Sequence, residues 1–371
     1  MVRSRSRTYL AIVRIALVST PFVSLPPPGY GGTELVVDAL AHALVRAGHE
    51  VSVFATGDSR APGLRAAFEA PVWPPDPYSE LLHARFAAGE IADEDFDVVH
   101  AHVPAMVGFA DGLGAPLVYT QHHASDPILE RFYARVPGVR RVAISWRQAE
   151  LADPAPHAVV HHGLDPALYP DEAGPGGDLA FFLGRLSWCK APELAIEAAG
   201  HAGLPIAVAG KVHSTDPSPP GWTEEVLKPA LGRRHVRWLE GADLAAKREL
   251  FAKARALLVP LRWEEPFGLV MIEALLAGCP VIASPRGAAP EIVREGQDGF
   301  LVRGPREMGA ALQRAAKLDR RAIQTRARTR FAADRMAAEY VAVYRDAVAA
   351  RTRGRPATPA AREEAWSALE R

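Results

Sequence analysis

The chain has 371 residues, of which 49% are hydrophobic and 23% charged, a composition that is ordinary for a globular protein. Its 43 basic residues (Lys and Arg) equal its 43 acidic residues, so overall charge does not favour binding to nucleic acid or to an acidic membrane surface. The two cysteines, Cys189 and Cys279, exclude a disulfide framework and a cysteine zinc site, which is typical of a reducing cytoplasm.

The first residues imitate a secretory signal, because MVRSRSR is basic and TYLAIVRIALV is apolar. Arg14 interrupts the apolar run and no cleavage site of small residues follows it, so we predict a disordered extension at 1–13 and a cytoplasmic protein. No apolar run is long enough to span a bilayer, and no transmembrane segment is expected.

Apolar strands alternate with helices over residues 14–165, the predicted first domain. The strands are predicted at RIALVST, EVSVFAT, FDVVHAHV, APLVYTQHH, RVAISW and HAVVHHG, and the helices at TELVVDALAHALVRAG and SELLHARFAAGEIA. This alternation is typical of a parallel sheet with helices on both faces.

A Pro-, Gly- and Asp-rich break at 166–178 predicts a linker. The alternation restarts over 179–335 with the strands DLAFFLGRL, PIAVAGK, HVRWLEG, ALLVPLRW and CPVIAS. The sequence therefore predicts an α/β protein with two Rossmann-like, doubly wound domains and a ligand in the cleft between them.

The stretch RWEEPFGLVMIEALLAGCPVIAS, residues 262–284, carries most of the predicted chemistry. Pro266 suits the first position of a helix, which would leave the amides of residues 267–269 as donors for a phosphate. Gly268 would let a ligand approach the backbone closely. Glu273 lies inside an apolar run, where an ionised carboxylate needs partners such as sugar hydroxyls or a neighbouring arginine.

EEPFGLVMIEALLAG, with Glu265 and Glu273 in an E-x7-E arrangement, resembles the signature of retaining glycosyltransferases of family 4. The resemblance implies the GT-B fold, in which two Rossmann-like domains face each other across a cleft and the second binds a nucleotide sugar. It implies that Glu273 holds the ribose and that Glu265 grips hydroxyls of the transferred sugar near C3. It also implies a closing helix at 336–350 that returns to the first domain, followed by a tail at 351–371.

PPPGYGGTE lies where a Rossmann phosphate loop would lie, although Glu34 stands in place of the third glycine of a dinucleotide-binding loop. Gly31 and Gly32 would let backbone amides approach an anion, and Thr33 can cap the following helix. GGTE matches the family's G-G loop, whose amides face the donor phosphates and the acceptor. A plain tight turn is the alternative.

GRLSWCK supplies Arg185 and Lys190 just after a predicted strand. A departing diphosphate needs positive charge, from a metal held by D-x-D or from cations of the protein. Gly184-Arg185-Leu186 and Lys190 match the family pattern, which is G-R-L followed a few residues later by a lysine. Ala191 replaces a frequent glycine of that pattern. Without the resemblance, two surface cations would be the preferred interpretation.

Three pairs of histidines at predicted strand ends offer a zinc site: His100 and His102, His122 and His123, His161 and His162. No carboxylate or cysteine completes such a site, so we interpret these histidines as polar residues of the cleft. A literal D-x-D, Asp93 to Asp95, precedes a strand and predicts a solvated turn. We therefore expect no metal and no other cofactor. In VYTQHH, His122 matches the family's cleft histidine near the donor sugar, and His123 is a second candidate.

Three further matches are weaker. Gly210, after PIAVA, matches a glycine-containing turn, and Leu239 in WLEG falls where the nucleobase usually packs. SPRGAAPEIV resembles the family's G-G-x-P-E-x-V segment with Ala288 in place of the second glycine, so we predict a structural role for Glu291 at a helix start.

Taken with the resemblance, the sequence predicts a metal-independent, retaining glycosyltransferase that moves a sugar from a nucleoside diphosphate sugar to a hydroxyl of a glycan, a lipid or a natural-product aglycone. The expected catalytic residues are Glu265, His122, Lys190 and Arg185. The expected donor-binding residues are Gly31, Gly32, Gly184, Arg185, Lys190, Gly210, Leu239, Glu265, Phe267, Gly268, Leu269 and Glu273. Residues 21–28 and 60–95, with Trp73 and Tyr78, are expected to shape the acceptor pocket. The alternatives are a GT-B epimerase or glycan phosphorylase, and a non-catalytic nucleotide-sugar-binding protein.

Overall fold

The structure, a computed structural model, describes residues 12–29, 31–212 and 218–354, with side chains described as far as residue 351. The extension predicted at the N-terminus and the tail predicted at the C-terminus therefore lie outside the described residues, except for residues 12–13 and 351–354. None of the helices within the described ranges combines the length and the apolar character that crossing a membrane requires.

The described residues of the first domain form six strands: β1 (Arg14–Val18), β2 (Glu50–Phe54), β3 (Val98–Ala101), β4 (Leu117–Thr120), β5 (Arg140–Ala143) and β6 (Ala158–Val159). They lie parallel in the order β2-β1-β3-β4-β5-β6. Its helices are α1 (Gly32–Arg46), α2 (Pro77–Ala92), α3 (Pro127–Ala134) and α4 (Trp146–Leu151), with a 3₁₀ segment at Pro104–Gly112. The last four residues of β1 are fully buried, as expected for a strand with helices on both sides of its sheet.

The second domain repeats this arrangement with β7 (Leu179–Leu183), β8 (Ile206–Ala209), β9 (Val236–Leu239), β10 (Ala254–Val259), β11 (Val281–Ala283) and β12 (Gly299–Leu301). These strands are also parallel, in the order β12-β11-β10-β7-β8-β9. The helices that follow the first domain are α5 (Pro192–Ala202), α6 (Lys228–Leu231), α7 (Leu244–Lys253), α8 (Leu269–Leu276), α9 (Ala289–Ile292), α10 (Gly304–Ala315), α11 (Arg320–Arg330) and α12 (Ala333–Gly354). A π-helical turn at Thr223–Leu227 leads into α6. The predicted fold, two Rossmann-like sheets in a GT-B arrangement, is confirmed.

Two adjacent segments connect the domains. Leu164 donates its amide to the carbonyl of Phe331, and Ala333 donates to the carbonyl of Leu164, each at 2.9 Å. After this contact α12 packs against α1 of the first domain. The tyrosines of α12 anchor it there, because the hydroxyls of Tyr340 and Tyr344 bond to side chains of the first sheet inside the core. The last helix is therefore part of the first domain's core.

Candidate functional site

The starts of two helices, one from each domain, meet across the cleft. Helix α1 begins at Gly32, and a Cβ atom placed on Gly32 would lie 3.1 Å from Cδ1 of Leu269, the first residue of α8. Both helices point their amide ends toward this contact, which makes the region attractive to an anion. The predicted cap at Thr33 is wrong: Gly31 is the N-cap residue and no side chain of the described residues caps α1.

The amides at the start of α8 are available to a ligand, but the helix begins later than predicted. The prediction that Pro266 occupies the first helical position is wrong, because Gly268 adopts a left-handed conformation (φ +88°) and the helix starts at Leu269. Met271 already donates its amide to the carbonyl of Gly268 at 2.9 Å. The hydrogen bonds of the described residues include none donated by the amides of residues 267–270.

Glu265 and Lys190 form an ion pair beside the start of α8. The same oxygen of Glu265, Oε2, accepts a hydrogen bond from Nε1 of Trp263 at 2.8 Å, and Lys190 Nζ lies 5.2 Å from the centre of the Trp263 ring. Glu265 is only 8% exposed. A carboxylate this buried requires a counter-charge, and Lys190 supplies it.

Four of the predicted donor residues lie at the carboxyl ends of β7, β8 and β9. Arg185 is half-buried and follows Gly184 directly after β7. A Cβ on Gly210 would lie 1.9 Å from the carbonyl oxygen of Gly184, so these two turns are in direct contact. Gly210 in turn donates its amide to the carbonyl of Leu239 at 2.9 Å. The structure thus brings these residues to one edge of the second sheet.

Glu273 is 3% exposed and is held by two partners that the sequence analysis did not identify. Lys247 of α7 lies 2.9 Å from Oε1 of Glu273, and the hydroxyl of Tyr169 donates to the same oxygen at 3.2 Å. The alternative, in which Glu273 pairs with a basic side chain, is observed with a lysine in place of the expected arginine. Tyr169 belongs to the predicted linker and is itself buried, at 3% exposure, against Glu273.

The ring of His122 lies in a series of aromatic contacts that reaches the second domain. Its Nε2 bonds to Nδ1 of His102 at 2.8 Å, and it stacks on His162 with ring centres 5.1 Å apart. His162 makes an edge contact with Phe267, with ring centres 4.8 Å apart. Burial, reinforced by the charge of His123, lowers the pKa of His122 to about 3. His122 is thus a neutral side chain at physiological pH.

His123 has different surroundings. Its Nε2 bonds to the hydroxyls of Tyr133 at 2.9 Å and Tyr119 at 3.2 Å, and its Nδ1 bonds to the carbonyl of Ala124 at 2.7 Å. All of these partners belong to the first domain. Of the two candidates, the geometry favours His122 as the histidine that faces the second domain.

His100 and the D-x-D sequence, two further candidates for metal binding, have other surroundings. His100 is fully buried between Tyr344 and Thr120, each 2.8 Å from one of its ring nitrogens. The D-x-D sequence lies in the turn between α2 and β3, at the amino end of the strand and away from the cleft. Within the described ranges, no group of three or more His, Cys, Asp or Glu side chains is arranged to hold a metal ion.

A cavity between the domains adjoins the Glu265 cluster. The first domain lines it with Ala124, Ser125, Arg147, Gln148 and Leu151, and the second with Trp263, Glu264, Glu265, Pro266 and Gly287. Trp73 and Tyr78, the aromatic residues predicted for the acceptor pocket, are 64% and 77% exposed and are not among the residues that line this cavity. The structure therefore adds Trp263 and Arg147 to the candidate site.

Two families of known proteins match this chain. The model described as Glycosyltransferase Family 4 matches residues 30–167, and the model described as Glycosyl transferases group 1 matches residues 172–333. D-inositol 3-phosphate glycosyltransferase of Mycobacterium avium is 29% identical, in an alignment that covers 78% of this chain and 82% of that protein.

Solved structures share the fold. AviGT4, a glycosyltransferase involved in avilamycin A biosynthesis, is 26% identical with a TM-score of 0.70, over 91% of this chain and 98% of that one. Sucrose-phosphate synthase of Thermosynechococcus elongatus, at 18% identity, has a TM-score of 0.72 over 91% of this chain and 100% of that one. Both similarities extend over the two domains.

Proposed function

Because the chain belongs to the glycosyltransferases of family 4 and group 1, we propose that it transfers a sugar from a nucleoside diphosphate to a hydroxyl acceptor, with retention of configuration and without a metal ion. The observation that carries the proposal is the Lys190–Glu265 ion pair beside the unbonded amides that precede and begin α8. This arrangement places a cation, a carboxylate and backbone donors within one small region of the cleft. Diphosphate and sugar hydroxyls are the groups that these three would bind.

The departing diphosphate is the main charge that such a reaction must stabilise. Lys190 and Arg185 would supply positive charge, and the amides of residues 267–270 would supply hydrogen bonds to phosphate oxygens. Glu265 would accept hydrogen bonds from hydroxyls of the transferred sugar. Lys190 and Glu265 are paired with each other, and charged groups that the protein holds in place stabilise developing charge efficiently.

Glu273 would hold the ribose of the donor. Both hydrogen bonds that it accepts from Tyr169 and Lys247 end on Oε1. The nucleobase would then pack near Leu239, at the end of β9. His122 would contact the sugar from the first domain as a neutral group.

In the proposed chemical step, the bond between C1 of the sugar and the diphosphate oxygen breaks and the acceptor oxygen bonds to C1 on the same face. The departing phosphate oxygen takes the proton of the acceptor hydroxyl. No nucleophile of the protein is needed, in agreement with a site built from cations, amides and hydrogen-bonding carboxylates. The free cysteines, Cys189 and Cys279, favour the cytoplasm as the place of this reaction.

A panel of nucleotide sugars tests the proposal. A bound donor at 100 times its Kd should stabilise the protein by about 2.7 kcal/mol, which a thermal shift detects. The donor so identified should then release nucleoside diphosphate only when an acceptor is present, and NMR of the product should show the anomeric configuration of the donor. An inverted product would reject retention, and an isomerised sugar formed without acceptor would identify an epimerase.

Metal independence has its own test. Activity should persist in EDTA, because Lys190 and Arg185 would replace the metal at the diphosphate. Strong inhibition by EDTA that Mn²⁺ reverses would contradict this part of the proposal.

A further inference from the structure

Glu291 binds the start of a helix in the opposite domain. Its carboxylate accepts hydrogen bonds from the amides of Trp146 at 2.8 Å and Arg147 at 2.7 Å, the first two residues of α4. Nε2 of His161 lies 2.7 Å from the same carboxylate. The first amides of a helix have no partner within the helix, so a carboxylate from outside is a favourable cap. Glu291 does lie in the first turn of α9, as predicted, but its side chain caps α4.

A second contact across the cleft lies beside the first. Nε of Arg147 donates to Oε2 of Glu264 at 2.8 Å, and the amide of Gly287 donates to the same oxygen at 3.2 Å. Glu264 directly precedes Glu265. Arg147 of the first domain therefore contacts the turn of the second domain that carries Glu265.

The turn is also tightly held from within the second domain. Ala288 donates its amide to the carbonyl of Glu265 at 2.9 Å, and a Cβ on Gly287 would lie 2.2 Å from that carbonyl oxygen. The segment 287–291 thus touches the Glu265 turn at one end and α4 at the other. A change in the distance between the domains would therefore act on this segment through Glu291 and on the Glu265 turn through Glu264.

The charges favour the assembled state. The hydrogen bond from Arg147 lowers the pKa of Glu264. Burial alone would raise the pKa of Glu291, but the hydrogen bonds from His161 and from the α4 amides lower it overall. Both carboxylates are therefore ionised at neutral pH and better stabilised with these contacts formed.

We propose that Arg147, Glu264 and Glu291 form an interdomain latch of positioning residues, which fixes the Glu265 turn only when the two domains are closed. The inference rests on the proposed function and adds to it the residues that couple closure to the geometry of the site. None of the three latch residues is among the groups proposed to bind the diphosphate. Breaking the latch should therefore impair the chemical step more than it impairs nucleotide binding.

A charge exchange tests the pairing of Arg147 with Glu264. The single variants Arg147→Glu and Glu264→Arg should each lower kcat by about 10- to 100-fold, as expected for a misplaced catalytic group. The affinity for UDP, GDP or ADP, whichever the wild type binds, should stay within about twofold of the wild-type value. The reason is that the substitution disturbs the chemical step and not the groups that bind the nucleotide. The double variant should recover most of the kcat. Glu150→Gln is the control, because Glu150 pairs with Arg147 at 3.2 Å on the exposed face of α4 and should leave kcat unchanged.

Hydrogen exchange tests the Glu291 contact independently of turnover. In Glu291→Ala, the amides of Trp146 and Arg147 should exchange faster than in the wild type, while amides of β1 should not change. Unchanged exchange would overturn the latch, as would wild-type kcat in both charge-reversal variants or a double variant no better than the singles. If the wild type transfers no sugar from any donor, the proposed function fails, while the exchange result still decides whether Glu291 holds the start of α4.

Discussion

Replacing Lys190 with alanine should reduce turnover by about two orders of magnitude while the fold persists. A lysine about 4 Å from a diphosphate oxygen contributes about 4 kcal/mol at the effective dielectric constant of a protein surface. If all of this were expressed in the transition state, its loss would lower the rate about 1000-fold. Part of the attraction already acts on the bound donor, so we expect kcat to fall about 100-fold and KM for the donor to rise.

The structural consequence of the same substitution should be smaller. The side chains of Lys190 and Glu265 are 20% and 10% exposed, between a surface pair and a fully buried one, so we expect a loss of about 1–2 kcal/mol of folding free energy. Glu265 also keeps its hydrogen bond from Trp263. Initial rates with varied donor and saturating acceptor give kcat and KM, and denaturant unfolding gives the stability.

The matched control is Lys228→Ala. Lys228 pairs with Glu224 at 2.7 Å, but both side chains are more than half exposed and lie on one surface turn. This control should keep both kcat and stability near the wild-type values. Should Lys190→Ala retain kcat within about threefold of the control, the leaving-group role of Lys190 would be refuted.

Three further predictions concern other parts of the structure. Glu273→Gln should weaken binding of a nucleoside diphosphate, which calorimetric titration measures, and unchanged affinity would contradict the ribose role. The same variant should lower the free energy of unfolding in urea by about 3 kcal/mol, because a buried lysine loses its counter-charge. Burial lowers the pKa of His100 from 6.5 to about 3, so the unfolded chain binds a proton there that the native chain does not, and stability should fall by up to about 1.4 kcal/mol per pH unit below pH 6.5. His100→Gln should flatten the slope of unfolding free energy against pH, and an unchanged slope would contradict the assignment. Gly268→Ala should destabilise the protein by about 1–3 kcal/mol, because the backbone there is left-handed and the new Cβ would lie 2.6 Å from Cε of Met271. The control, Gly241→Ala, places its Cβ with no atom within 4 Å and should change the melting temperature little.

The sequence was sufficient for the fold because the information needed is local. The apolar run ALLV in β10 is buried on both faces, and such runs separated by helices predict a parallel sheet without knowledge of any distant contact. The E-x7-E spacing likewise lies within one turn and one helix. Local patterns of this kind could be recognised in the chain alone.

The details of the site depended on contacts between distant residues. Glu273 is held by Lys247, 26 positions away, and by Tyr169, 104 positions away, and no local pattern marks either residue as its partner. The start of α8 was predicted too early for a different reason. Pro266 fits a helix start, but the left-handed conformation of Gly268 moves that start to Leu269, and a glycine alone does not reveal its φ angle.

The two acids of the E-x7-E stretch share one physical arrangement that only the structure reveals: each is buried and each faces a lysine. If the proposed function holds, the pairing of Glu265 with Lys190 limits which ligands can bind there. An anion alone would take Lys190 and leave a buried carboxylate without its counter-charge, and a neutral sugar alone would have to compete with a full charge for Glu265. A nucleotide sugar satisfies both groups at once, because its diphosphate takes the lysine while its hydroxyls take the carboxylate. The ion pair therefore favours a donor in which anion and sugar are joined over either part alone.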